Sequence, residues 1–180
     1  MSDAAGLAPG RLRLLELWIP LVIVAADQLT KYMVRQSLAI HESVGVVPGF
    51  LDFTHVRNTG AAFGMLDNLD FPFKTAIVGI VASVALAAVA FYSRTLSHGQ
   101  LIARIGLALI VGGAAGNLID RLTVGSVVDF VDVYFGDWHF WVFNVADSAI
   151  TVGVTLLVLD VLREPQGGDA AVPAQAARGE

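Results

Sequence analysis

The sequence predicts an all-α membrane protein of four transmembrane helices with a small β-containing loop region outside the membrane. Three observations predict it: an apolar excess too large for a soluble domain, the gathering of that excess into four long stretches, and ionisable groups recurring inside three of them. Of 180 residues, 56% are hydrophobic and 15% charged, against roughly 45–50% and about 25% in an average soluble domain. A soluble core would spread its apolar residues through the chain, whereas these run long enough to cross a bilayer.

The first span covers residues 14–34, and the second covers 71–92, uncharged after Lys74. The third, 105–119, is short and extends at both ends, and the fourth covers 140–162. Four spans use most of the chain, so residues 14–163 form one membrane domain between a cytoplasmic tail of residues 1–13 and a tail of 164–180. The second tail is rich in Ala, Gly and Pro, a composition that cannot build a core and predicts disorder. The weakly basic start is not a cleavable signal peptide. Asp27 and Lys31 interrupt its apolar run, no small-residue cleavage site ends it, and further spans follow.

Several functions are excluded early. Without cysteine there is no disulfide, thiolate metal site or cysteine nucleophile. A net charge of −5 with no basic run longer than a pair argues against nucleic acid. His41, His55, His98 and His139 show no metal-ligand spacing, so neither a metal nor a cofactor is expected. An even number of spans puts both termini on one side with Arg94 and Arg104. Six basic residues then face five, a slight bias, and three of the five, Lys31, Arg57 and Arg121, lie beside the polar sets described next, where function accounts for them, so the termini are placed in the cytoplasm.

An ionisable residue within a span costs a few kcal/mol, roughly 2.5–3.5 on insertion scales, and marks function by default. Span one carries Asp27, Thr30 and Lys31; span three Asn117, Asp120 and Arg121; span four Asn144, Asp147 and Ser148. Each set is spaced i, i+3, i+4 and lies on one side of its helix. The sets stand at the C-terminal ends of spans one and three and the N-terminal end of span four, so all three meet at the outer face. Singly, each reads as a helix-end feature: Asp27 pairs with Lys31, Asp120 with Arg121, and Asn144 caps span four. Three meeting at one level point to a site, with the two pairs supporting its architecture. Gly112, Gly113 and Gly116 thin span three for close helix packing.

Two outer connections lie between these helices. Residues 41–68 read as short strands followed by a glycine-rich turn. Residues 123–141 carry Asp129 and Asp132, then the aromatics Trp138, Phe140 and Trp141, which suit the membrane–water boundary.

With these residues in view the chain closely resembles the bacterial lipoprotein signal peptidases, also called signal peptidase II. The resemblance rests on five ordered blocks: DQLTK from Asp27, NTGAAF from Asn58, GGAAGNLIDR from Gly112, VVDF from Val127 and FNVADSAI from Phe143. It covers residues 14–163. The resemblance implies a membrane-embedded aspartic endopeptidase of the bacterial inner membrane, with its active site at the outer face and a periplasmic lid segment. Its substrates would be prolipoproteins, cut just before a cysteine that bears diacylglycerol. Membrane lipid would be a further partner, and a cyclic peptide of the globomycin type an inhibitor. Carried over position by position, the catalytic pair is Asp129 and Asp147. Asp27, Lys31, Asn58, Gly60, Asn117, Arg121 and Asn144 line the pocket around it.

Two other classes compete. A proton-coupled transporter also uses intramembrane Asp, Lys and Arg, but these gather at one face instead of crossing the membrane. A transferase acting on lipid headgroups would need Ser148 as nucleophile, yet no histidine lies near it in sequence, and its hydroxyl suits a bond to its own helix.

Overall fold

The computed structural model describes residues 9–60, 73–93, 95–96 and 100–163. Residues 1–8 of the first predicted tail, all of the second and most of the glycine-rich turn lie outside these residues, whereas residues 9–13, expected in the first tail, are already helical as the start of α1. Four helices are present: α1 (Pro9–Ser37), α2 (Lys74–Tyr92), α3 (Leu101–Thr123) and α4 (Val145–Arg163). Three helical stretches, Glu16–Ser37, Leu101–Thr123 and Val145–Arg163, are long and apolar enough to cross a membrane, and Ala76–Val89 within α2 is a shorter apolar helix.

The helices invert the soluble pattern. Leu17, Trp18, Leu21 and Val22 on α1, Ile80, Val81 and Val84 on α2, and Val161 and Leu162 on α4 are all exposed. The six largest fully buried side chains include Lys31, Asn144, Asp27 and Asp120. A polar interior inside an apolar surface is stable where lipid is the solvent, because hydrocarbon does not penalise the outward leucines and cannot solvate the inward carboxylates.

Helix α3 is central and packs on α1 and α4 through its small residues. A Cβ built on Gly112 would lie 2.9 Å from Pro20 Cα, and one on Gly106 would lie 2.8 Å from the Gly153 carbonyl oxygen. One on Gly113 would overlap the carbonyl oxygen of Ala146. The glycines therefore serve close backbone approach, as expected of them.

The outer connections join in one antiparallel sheet, ordered β1 (Ser43–Val47), β2 (Leu51–Asn58), β3 (Val127–Phe135) and β4 (Trp138–His139). Strands were expected in the first connection only. The nine-residue β3 escapes an alternation test because Val127, Val128, Asp129 and Phe130 are all buried, so both faces of the strand are covered there. Val34, Val128 and Phe130 form the core beneath the sheet. Span four also begins later than expected. Residues 140–144 are not helical, and Phe143 exchanges backbone bonds of 2.8 and 3.1 Å with Val131, tying the start of α4 to β3.

Candidate active site

The three polar stripes meet where the C-terminal ends of α1 and α3 face the N-terminal end of α4. Asp27 Oδ1 accepts the backbone N–H of Ala146 at 3.0 Å, so an α1 carboxylate caps the first turn of α4, where free N–H groups and the helix dipole favour negative charge. Its Oδ2 accepts from Lys31 Nζ at 2.8 Å. Lys31 also reaches Asp120 Oδ2 at 3.1 Å and Asn117 Oδ1 at 2.8 Å, so all three ammonium protons have acceptors. Asp120 Oδ2 in turn accepts the backbone N–H of Val128 at 3.1 Å, fastening β3 to α3. Each buried charge thus has a partner, the condition under which low-dielectric burial is tolerable.

The expected pairing of Asp120 with Arg121 is corrected. Consecutive helical residues diverge by about 100°, so Asp120 turns inward to Lys31 and to Arg35, 3.6 Å away. Arg121 turns toward the end of β2 and donates to the Gly60 carbonyl at 2.9 Å. Sequence reasoning also passed over Arg35 and Gln28. Arg35 continues the α1 stripe at i+4 from Lys31, a spacing that was available to find it. Gln28 Nε2 bridges Asp27, Asp120 and the Gly116 carbonyl at 3.1–3.2 Å.

Above this base stand Asp129, the third residue of β3, and Asp147, in the first turn of α4. Asn144 joins them. Its Nδ2 donates to Asp129 Oδ1 at 2.6 Å, and its backbone N–H donates to Asp147 Oδ2 at 3.2 Å. Asp147 N–H returns a bond of 2.9 Å to Asn144 Oδ1, the reciprocal arrangement of a helix capping box. Asn144 therefore does cap span four, while also touching both carboxylates. Asn58 Nδ2 donates to Asp129 Oδ2 at 3.1 Å, and Asn117 Nδ2 donates to Asp147 Oδ1 at 2.8 Å. Asn58 is steadied by Gly60, whose N–H donates to its Oδ1 at 2.9 Å. The two catalytic candidates and the seven pocket residues that the resemblance implies all belong to this one network.

Burial pushes the Asp129 carboxyl up to about 7, and the neighbouring Asp147 charge adds to the rise, while bonds from Asn58 and Asn144 and the charge of Lys31 pull the other way. A carboxyl poised there keeps a proton near neutral pH. Two carboxylates that repel, one holding the proton, can act as acid and base across a bound water and a carbonyl. The rival residues are engaged elsewhere. Ser148 Oγ donates to the Asn144 carbonyl at 2.9 Å, and His139 Nδ1 lies 3.0 Å from Asp132 beneath a stacked Tyr134 ring. Among the described residues no cluster of His, Asp or Glu could hold a metal ion.

Comparison with known proteins follows the same line. The family described as signal peptidase (SPase) II matches residues 19–163. A lipoprotein signal peptidase of Geobacter metallireducens is 48% identical over 145 residues, covering 79% of this chain and 87% of its own. One from Pseudomonas aeruginosa is 39% identical over 160 residues, covering 88% and 94%. A solved bacterial membrane enzyme superimposes with a TM-score of 0.73 at 32% identity, over 91% of this chain and 94% of that one.

Proposed function

The chain belongs to the signal peptidase II family, and from that premise we propose that Asp129 and Asp147 are the catalytic dyad with which it cleaves. It is a protease of the lipoprotein signal peptidase type, and its substrates are prolipoproteins. The observation that carries the site assignment is Asn144, bonded to one carboxylate through its side chain and to the other through its backbone.

In the proposed mechanism the ionised member of the dyad takes a proton from water, whose oxygen attacks the scissile carbonyl carbon. The protonated member hydrogen-bonds the carbonyl oxygen and passes it a proton, giving a neutral tetrahedral diol. The diol collapses as its nitrogen takes a proton from the first carboxyl, the C–N bond breaks, and a diol hydroxyl returns a proton to the second. The dyad is restored. Each carboxylate has two oxygens and about four lone-pair sites, so one amide or backbone donor per oxygen leaves room for water and substrate.

Asn58, Asn117 and Asn144 orient the dyad, Gly60 and Arg121 fix the end of β2 beside it, and Asp27 with Lys31 supports the start of α4. The four helices, α2 included, serve as four spans, with both termini in the cytoplasm, the dyad at the outer face of the bacterial inner membrane and the sheet as its extracytoplasmic region. A periplasmic lid from the outer connections closes over the dyad. The diacylglyceryl group and the apolar signal segment stay in lipid while the bond to be cut reaches the aspartates. A globomycin-type cyclic peptide would occupy the same pocket.

The test is cleavage of a lipidated prolipoprotein by Asp129→Asn, Asp147→Asn and the double variant, with substrate retention measured in parallel. Asn keeps size and some hydrogen bonding but can neither take water's proton nor supply one as an acid. Each single change is expected to abolish cleavage while retention survives, with the double hardly worse, as for residues acting as one unit. Near-normal cleavage by either folded single variant would refute the dyad.

A further inference from the structure

Three asparagines orient the dyad, and each amide can face two ways. What fixes each orientation is a group that only donates, so that the amide oxygen must turn to it and the NH2 must turn to a carboxylate. For Asn58 that group is the backbone N–H of Gly60, and for Asn144 it is the backbone N–H of Asp147. For Asn117 it is the ammonium of Lys31, 2.8 Å away and fully buried. Lysine has no acceptor, so the opposite orientation would set two donors against each other. The Asn117 oxygen thus rests on a full positive charge.

We infer that Lys31 is a positioning residue acting through Asn117: it locks and polarises that amide toward Asp147, making Asp147 the carboxylate that takes water's proton and Asp129 the partner that carries the dyad's proton. The inference rests on the dyad reading above and divides its roles. A donor polarised by a cation makes a stronger bond to an anion, since hydrogen bonds in sequence reinforce one another in a low dielectric. Asp147 has two further supports for a negative charge. It lies in the first turn of α4, and its Oδ2 accepts the free N–H of Asn144. Asp129 has neither, standing in a strand with two amide donors whose oxygens accept from neutral N–H groups. The carboxyl of Asp129, held near neutrality, agrees with its holding the proton.

The charges facing Asp147 are Lys31 and Asp27 from α1, Arg121 from α3 and Asp129 from β3. Lys31 is balanced in turn by Asp27 and Asp120, with Arg35 beside Asp120. Two substitutions therefore alter the charge behind Asn117 in opposite senses. Lys31→Met removes the cation, and Asp120→Asn removes a balancing anion while leaving an oxygen able to accept from Lys31 and from the Val128 N–H.

The experiment measures kcat and KM of the full-length enzyme in detergent against pH, with a lipidated prolipoprotein peptide, for the parent and both variants. Lys31→Met is expected to move the acidic limb of the kcat profile up by about one pH unit and Asp120→Asn to move it down, with KM little changed; a cation close to a carboxylate is worth about 1–3 units, less through one intervening amide. In an Asn117→Ala background Lys31→Met should no longer move the limb. A merely structural lysine would lower the amount of active enzyme without moving the limb. If Lys31→Met does not fold, Asp120→Asn carries the test alone. An unmoved limb in a folded variant, or shifts of the same sign in both, overturns the role of Lys31. Such a failure differs from failure of the dyad itself, in which Asp129→Asn or Asp147→Asn would still cleave.

Discussion

Replacing Asp129 by Asn should make the protein's stability less sensitive to alkaline pH while destroying its activity. The Asp129 carboxyl moves from an ordinary 3.8 to about 7 on folding, so the folded state holds a proton that the unfolded state has already released. Stability contributed by this residue is intact below about pH 3.8, declines as pH rises through the interval, and reaches its full deficit above about pH 7. At 1.36 kcal/mol for each pH unit, the rise corresponds to about 4 kcal/mol, and sharing of the proton with Asp147 reduces what one substitution recovers to about half. Asn at this position carries no charge at any pH. It does set an NH2 against one of the two Asn donors, but that cost is independent of pH and cancels when two pH values are compared. The assay is the thermal unfolding midpoint of parent and Asp129→Asn protein in detergent at pH 4 and pH 8, followed by tryptophan fluorescence. The difference between variant and parent should be more favourable at pH 8 by about 5 °C, taking about 2–4 °C per kcal/mol for a chain of this size. A difference that stays the same at both pH values would refute a buried, proton-holding Asp129. Stability conceded at a charged, desolvated site is the expected companion of catalysis.

Other outcomes follow from the same geometry. Cleavage should fall as pH rises through about 7, because Asp129 then loses the proton the mechanism needs; a rate flat from pH 6 to 9 would contradict this. Unlipidated precursor should be cut far more slowly than the diacylglyceryl form, since the lipid anchor holds the scissile bond at the depth of the aspartates, and equal rates would remove lipid from the mechanism. Reporters after Gly179 or near Gly99 should be cytoplasmic and one near Asn68 outside, whereas Gly99 and Asn68 on the same side would break the four-span arrangement. Gly113→Ala should lower both folded yield and activity, because its methyl would meet the Ala146 carbonyl and push α4 from α3 at the level of the dyad. Normal yield and activity would show that the helices have slack there.

The site was more legible in the sequence than the strand that carries half of it, and the reason is physical. Asp27, Lys31, Asn117, Arg121, Asn144 and Asp147 declared themselves because lipid makes an ionisable or amide group within an apolar stretch costly. Helix periodicity then showed that each set shared a side. Asp129 had no such background. It lies in an outer connection among polar and aromatic residues, and only the family resemblance separated it from Asp132, three residues on in the same strand. The structure supplies the distinction. Asp129 turns to Asn58 and Asn144, whereas Asp132 is paired across the sheet with Asp52 and bonded to His139. A displacement of three residues along a strand carries a side chain to the opposite face, so one aspartate meets the two asparagines and the other does not. Which face is which depends on the register of β3 against β2 and on the Val131–Phe143 bridge, long-range pairings that no local pattern encodes. Those same pairings hold Asn144 between the two carboxylates. The register of β3 therefore decides whether Asp129 and Asp147 can act as the proposed dyad or are only two buried acids.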